Sequence, residues 1–334
     1  ALVNVVSCML FGAISGSAVA TTSAIGSFML PEMKKAGYEP NFSAAVTAAA
    51  STTGMLIPPS NILIVYAIAS GGVSIAALFM AGYIPGIMVG LALMLVCFIY
   101  AKMKGYPLSP RLPIKVVVEK TIAALPSLFL IFLVIGGIVG GVFTATEAGA
   151  IAVVYSLLLA VVFYKEVDAK ALPDIFLKAA ETTAIVMLLI AASTAMSWLL
   201  SFENIPQTLS NALLSISDNP LLILLLINLL LIVVGAFLDM TPAVLIFTPI
   251  FLPVALELGM SELQFGIMLV LNLSIGLCSP PVGAVLFITC AIAKTKLENI
   301  IRPLIPLYVA MFVVLMLVTY VAWFSEALPR ALGF

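Results

Sequence analysis

The feature that most limits how this chain can fold is a pattern that occurs twice. Near the start runs FGAISGSAVATTSAIGSFMLPEMKKAGY…STTGMLIPPSN, and much later VGAFLDMTPAVLIFTPIFLPVALELGM…LSIGLCSPPVG. With a shift of 222 positions, Pro31, Gly37, Gly54, Pro58 and Pro59 fall on Pro253, Gly259, Gly276, Pro280 and Pro281. Coincidence at so many helix-breaking residues marks an internal repeat. Segments broken by Gly and Pro at matching places of an apolar chain point to the binding site of a secondary transporter.

The apolar character is plain: 63% of the residues are hydrophobic, 9% are charged, and the mean hydropathy is +1.28. Several stretches reach the roughly 20 residues needed to cross a bilayer, so the chain reads as an all-α polytopic membrane protein. It holds no histidine, which removes Ser-His and Cys-His catalysis and histidine metal ligation. The four cysteines sit singly, without metal spacing, and read as small core residues. The opening Ala1-Leu2-Val3 is already apolar and has no signal-peptide leader, so further helices are expected before it. Nothing points to a nucleic-acid partner; the expected surroundings are a lipid bilayer.

Polar joints divide the chain into spans. Residues 1–36 dip in and return, with a break at Ser15-Gly16-Ser17, and residues 42–70 form a helix interrupted at Gly54 to Pro59. Ordinary spans are expected over 75–101, 121–141, 146–164 and 180–200. Residues 219–258 dip again, broken at Asp239 to Pro242. Residues 264–292 are interrupted at Gly276 to Pro281, and 304–324 form the last span. Counted along these crossings, thirteen of the fourteen Lys and Arg residues fall on one side and only Arg330 on the other. The positive-inside rule makes the first side cytoplasmic. An odd number of crossings separates the two dips, so the repeats are inverted, as alternating access about a midplane site requires. The expected fold is therefore two re-entrant helical hairpins and two discontinuous helices in inverted repeats. The alternative is two kinked pairs of ordinary helices. The expected division is a transport unit of 1–70 and 219–293, with scaffold over 71–218 and 294–334.

Broken backbone at membrane depth survives only where it is buried in protein or lines a cavity. The first tip offers Ser15, Gly16 and Ser17; the facing break frees carbonyls around Thr53 to Ile57, because Pro58 and Pro59 donate no backbone hydrogen bond. Such oxygens suit a small hard cation such as Na⁺. In the second repeat Asp239 falls where Ser17 falls in the first, with Thr241 beside it. A lone carboxylate in the bilayer centre costs about 2.5–3.5 kcal/mol, which a bound cation would offset. Asp-Met-Thr-Pro also reads as an N-cap with Pro just inside a helix, and the two roles are compatible. Glu147 reads as a first-turn acid after Thr144, and Glu181 as the opening of another span. No Arg or Lys lies near either tip, so an anion must be held by half-helix N-termini, hydroxyls and amides. Candidates are Thr21, Thr22, Ser23, Ser60 and Asn61, although Ser and Thr in membrane helices often bond only to their own backbone.

GAISGSAVATTSAIG, KKAGYEPNFSAAVTAAASTTGMLIPPS, GGVFTATEAGAIAVVYSLL and NLSIGLCSPPVGAVLF, in this order over essentially the whole chain, resemble the large membrane subunit of tripartite ATP-independent periplasmic (TRAP) transporters. The resemblance implies a Na⁺-driven elevator in the bacterial inner membrane. It implies a small four-helix membrane subunit, separate or fused, and a periplasmic solute-binding protein that delivers an organic anion. It implies one Na⁺ site at Ser15, Ser17, Gly54, Ile57 and Pro59, and a second at Asp239, Thr241, Gly276, Ser279 and Pro281. The first hairpin leans toward the sialic-acid members; C4-dicarboxylates are the other substrate class in view. The competing readings are a stand-alone Na⁺-coupled carrier for carboxylic acids, a structural membrane subunit, and an intramembrane enzyme. The last has no His, no paired aspartates and no Ser-Lys dyad to support it.

Overall fold

The computed structural model describes residues 1–106, 113–205, 208, 212, 219–280 and 282–334. Pro281, one of the expected ligands, and Arg111 lie outside the described residues. The helices are α1 (Leu2–Ser15), α2 (Ala18–Lys35), α3 (Pro40–Thr53), α4 (Asn61–Ala69) and α5 (Ile75–Lys104). There follow α6 (Ile114–Val139), α7 (Ala145–Leu157, continued by a π-helical turn over Leu158–Phe163) and α8 (Leu172–Phe202). The rest are α9 (Pro220–Phe237), α10 (Met240–Glu257), α11 (Glu262–Leu277), α12 (Ala284–Ala293), α13 (Leu297–Tyr320) and α14 (Trp323–Ala331). Among the described residues seven helices are long and apolar enough to cross a bilayer, α9 and α10 included. The protein is an all-α polytopic membrane protein.

Two compact units emerge, one of Ala1–Pro107 with Ala192–Phe334, the other Leu108–Ala191. In the second unit α6 packs along α7, and the Tyr155 hydroxyl donates to the Pro126 carbonyl at 2.8 Å. α7 opens with a capping box: Thr144 accepts from the Glu147 amide, and the Glu147 carboxylate accepts from the Thr144 amide at 2.8 Å. Glu181, by contrast, opens no span. It lies well inside α8, where Thr182 and Thr183 bond back to the carbonyls of Lys178 and Ala179.

The first unit holds both repeats. Gly16, at φ 60°, ends α1 in the left-handed region, and Ser17 caps α2 by accepting from the Ala20 amide. In the second repeat the break is tighter than expected and falls on Leu238-Asp239, with Thr241 and Pro242 already in the first turn of α10. Proline is tolerated there because first-turn amides have no helical partner. The later interruption also moves, to Cys278–Gly283. Gly276 stays helical; it is Pro280, which cannot donate to the Gly276 carbonyl and restricts the residue before it, that stops α11. The last span ends at Tyr320, and a short helix, α14, follows that hydropathy alone did not reveal. It carries Glu326, buried and bonded to Ser261 and Arg330.

Every residue of α3 from Phe42 to Thr53 and of α11 from Gln264 to Leu277 is buried. A helix covered on all faces belongs at a core, and these two are the cores of their repeats. The α1–α2 hairpin packs on α3, and the α9–α10 hairpin packs on α11. The second half of each broken helix then crosses over: α4 packs on α10, and α12 packs on α2. Tyr66, near the end of α4, donates to the Glu262 carbonyl at the start of α11 (2.7 Å). Thr295, just beyond α12, donates to Asn41 at the start of α3 (2.7 Å). The two broken helices thus lie side by side and run in opposite directions. On α5, Gly82, Gly86, Val89, Gly90 and Leu93 face inward, while Ile87, Leu91, Leu95 and Phe98 form an exposed apolar stripe of the kind that meets lipid.

Candidate functional site

In the first repeat the hairpin and the helix break touch twice. A Cβ built on Gly12, one turn before the tip, would lie 2.9 Å from the Gly54 Cα, so the two backbones are in direct contact. At the tip, a Cβ on Gly16 would lie 2.7 Å from the Asn61 Oδ1, which places Asn61 over the turn. Ser15 Oγ pairs with Thr21 Oγ1 at 3.0 Å, and Thr21 also donates to the Ser17 carbonyl at 2.8 Å. The tip hydroxyls are therefore already organised by one another. In the break, the Thr52 and Thr53 carbonyls accept from Met55 and Leu56 at 3.3 Å, and the Met55 carbonyl accepts from Ser60 Oγ. Among the described residues nothing donates to the carbonyls of Gly54, Leu56 or Ile57. Ile57 packs on α5 against Gly86, where a Cβ would lie 2.6 Å from its Cγ1.

The second repeat repeats the construction. A Cβ on Gly276 would lie 2.5 Å from the Gly235 Cα, again backbone on backbone. The Gly283 amide donates to the Ala236 carbonyl at 3.2 Å and ties the far edge of the break to the end of α9. Asp239 sits at the N-cap position of α10, exposed, and its side chain makes no cap hydrogen bond. Gly276 is not free: its carbonyl accepts from the Ser279 amide at 2.8 Å. Ser279 Oγ donates to the Ile275 carbonyl and meets the Tyr308 hydroxyl of α13 at 2.8 Å. The carbonyls of Leu277 and Ser279 converge on Gly283, where a Cβ would lie 3.0 and 2.7 Å from them.

The expected substrate residues separate. Thr22 is buried and bonded to Ser51 Oγ and the Ala18 carbonyl, both at 2.8 Å, so it ties hairpin to α3. Thr21 and Ser60 are buried and engaged as above. Ser23 is exposed on the opposite face of α2 from Thr21 and Ile25. Asn61 is exposed at the tip.

Three features escaped the sequence. Gly12 and Gly235 lie outside the alignment at the 222-residue shift, because the two copies differ by one residue just before the tip. Tyr308 carries no local signal. Finally, each hairpin's first arm carries a buried amide aimed at its broken helix. Asn4 donates to Thr47 at 2.7 Å, and Asn272 donates to Asn228 Oδ1 at 2.8 Å. A buried Asn on an apolar helix is a signal that could have been used.

Oxygen atoms dominate both breaks: hydroxyls, unused carbonyls and one carboxylate. Among the described residues no three His, Cys, Asp or Glu side chains cluster as transition-metal ligands would. Oxygen donors of this kind suit hard cations rather than soft ones.

The tripartite ATP-independent periplasmic transporter, DctM component, family matches residues 1–324. The chain is 50% identical over 326 residues (98% of this chain, 75% of the relative) to the uncharacterized protein YgiK of Salmonella typhimurium. It is 38% identical over 333 residues (100% and 78%) to the C4-dicarboxylate TRAP transporter large permease protein DctM of Pseudomonas aeruginosa. It is 37% identical over 328 residues (98% and 77%) to the sialic acid TRAP transporter large permease protein SiaM of Vibrio cholerae.

Proposed function

The chain belongs to the DctM component family of tripartite ATP-independent periplasmic transporters, and from that premise we propose that it couples Na⁺ entry to import of an organic anion. It is an inner-membrane permease subunit of a secondary transporter, not an enzyme. The finer reading is that a periplasmic solute-binding protein delivers the anion and that a small four-helix membrane subunit, separate or fused, completes the membrane part. The anion is a carboxylate of the C4-dicarboxylate or sialic-acid type, two of the classes named among its relatives.

The observation that carries this reading is the pairing of each hairpin tip with its own helix break in two oppositely directed copies. In the proposed mechanism Ser15, Ser17 and the carbonyls of Gly54, Ile57 and Pro59 hold one Na⁺; Asp239, Thr241, Gly276, Ser279 and Pro281 hold the other. Bound Na⁺ would supply positive charge that offsets the Asp239 carboxylate and orients the dipoles of the break carbonyls. Asn61 and the α4 amides then face the substrate carboxylate with fixed dipoles. Residues 1–70 and 219–293 move as the transport unit against the remaining spans, in an elevator.

Proteoliposomes containing the membrane subunits test this. A Na⁺ gradient together with the loaded binding protein should drive uptake of a radiolabelled carboxylate, and dissipating the gradient should abolish it. Equal uptake with and without the gradient refutes Na⁺ coupling. Uptake without the binding protein favours the stand-alone carrier instead.

A further inference from the structure

A polar cleft of about 430 Å³ opens where the start of α3, the end of α5 and the start of α13 meet. Its charged and polar wall comprises Glu39, Asn41, Tyr100, Lys104, Asn299 and Arg302. Their hydrogen bonds decide what is left to bind a ligand. Glu39 accepts from Lys104 at 2.9 Å and from Tyr100 at 3.1 Å, so the one acid and the lysine neutralise each other. Asn41 uses its carbonyl oxygen to accept from Thr295, which leaves its amide hydrogens to donate. Arg302 is exposed and has no ion pair or hydrogen bond among the described residues; the Asn299 side chain has none either. The uncommitted groups of the cleft are thus a guanidinium and two amides, a donor set with one net positive charge.

The position adds a second argument. Phe42 stacks on Tyr100 with ring centroids 3.9 Å apart, and Tyr38 meets Tyr106 at 4.4 Å, so an aromatic cluster borders the cleft. Aromatic and basic side chains together are the hallmark of the membrane–water interface. The distribution of Lys and Arg along the sequence puts this end of the unit on the cytoplasmic side. Basic pockets between helices at that level take lipid headgroups.

We propose that this cleft binds the phosphate or carboxylate of an anionic molecule, anchored by Arg302, and that an anionic phospholipid of the inner leaflet is the occupant. A guanidinium presents two parallel N–H donors to such a group, which an ammonium cannot reproduce. Glu39 acts as an intramolecular competitor, because it holds Lys104 that would otherwise join Arg302. The proposal does not depend on Na⁺ coupling or on the transported substrate.

The full-length protein in neutral-detergent micelles tests it. Its thermal midpoint is titrated separately with phosphatidylglycerol, phosphatidylcholine, inorganic phosphate and succinate, and lipid retention is read by native mass spectrometry. Phosphatidylglycerol, but not phosphatidylcholine, should raise the midpoint. Arg302→Gln should weaken the apparent affinity about tenfold, and Arg302→Lys by less. Glu39→Gln, which frees Lys104, should strengthen it several-fold, a gain that simple structural damage cannot mimic. If inorganic phosphate or succinate gives the same Arg302-dependent shift, the cleft is an anion site but its occupant is a soluble anion. The proposal is overturned if no anion shifts the midpoint, or if the shift is the same in the wild type, Arg302→Gln and Glu39→Gln.

Discussion

Gly12 and Gly54 bring the first hairpin and the first broken helix into backbone contact, with no side chain between them. The same relationship recurs between Gly235 and Gly276 in the second repeat. Close approach of this kind gives dispersion contact and orientation where lipid supplies no hydrophobic drive between helices. It also sets the start of the break, at Gly54, against the hairpin arm one turn before the tip. The contact thus comes before the proposed chemistry: the proposed site needs tip and break held together.

Gly54→Ala is accordingly expected to be costly. Its Cβ would fall 2.5 Å from the Gly12 carbonyl carbon, and backbone cannot step aside as a flexible side chain can. A loss of about 1–3 kcal/mol, the range for overpacking, is expected in thermal or denaturant unfolding in micelles. Gly149→Ala in α7 is the control. Nothing lies within 4 Å of the added methyl there, and the helix should gain slightly.

Asp239→Ala should separate function from folding. The carboxylate is exposed and makes no cap hydrogen bond, so its removal should cost less than the roughly 1 kcal/mol of an ordinary N-cap. Under the proposed mechanism Na⁺-driven uptake should nevertheless be lost. Unchanged uptake, with the same dependence on Na⁺ concentration, would remove Asp239 from the ion site.

Ser279 and Tyr308 should behave as a coupled pair. Each single change, Ser279→Ala or Tyr308→Phe, removes a hydrogen bond of 2.8 Å between the second break and α13 and should cost about 0.5–1.5 kcal/mol. The double variant should cost clearly less than the sum, since both changes delete the same contact. Strict additivity in a double-mutant cycle of unfolding midpoints would show that the pair does not interact.

Glu39 gives a pH test. The hydrogen bond from Lys104, the largest influence, outweighs partial burial and, with a further one from Tyr100, holds its carboxyl below the usual carboxylate range. A carboxylate depressed in the fold stabilises it fully above the unfolded value near 4.5, and that stabilisation fades as pH falls through the native value. The difference in thermal midpoint between wild type and Glu39→Gln should hold steady from neutral pH to about pH 5 and shrink below it. It should also be small, because both partners are about half exposed and water screens them.

The sequence already carried the breaks at Gly16 and at Gly54 to Pro59, because glycine conformation and missing proline amides act locally. It misplaced the second pair by a residue or two. The reading of Asp-Met-Thr-Pro as an N-cap with Pro just inside a helix holds, whereas the break expected to extend to Pro242 ends at Asp239 and the later one, expected from Gly276, begins after Leu277. Proline starts a helix or stops one according to where it falls. Thr22 and Ser279 also bond to side chains, Ser51 and Tyr308, that lie 29 residues away in each case, and no local pattern reveals those partners.

What the sequence determined by itself was membrane residence, the duplicated broken segments and their opposite directions, since hydropathy, charge side and helix breakers are properties of a residue and its near neighbours. Only the tertiary structure decided that α4 crosses to the second repeat and α12 to the first, that paired glycines bring each tip to its break, and that Arg302 faces a cleft unpaired. These depend on which surfaces fit when segments distant in the sequence pack, and complementarity of shape between two such segments is written in neither of them alone.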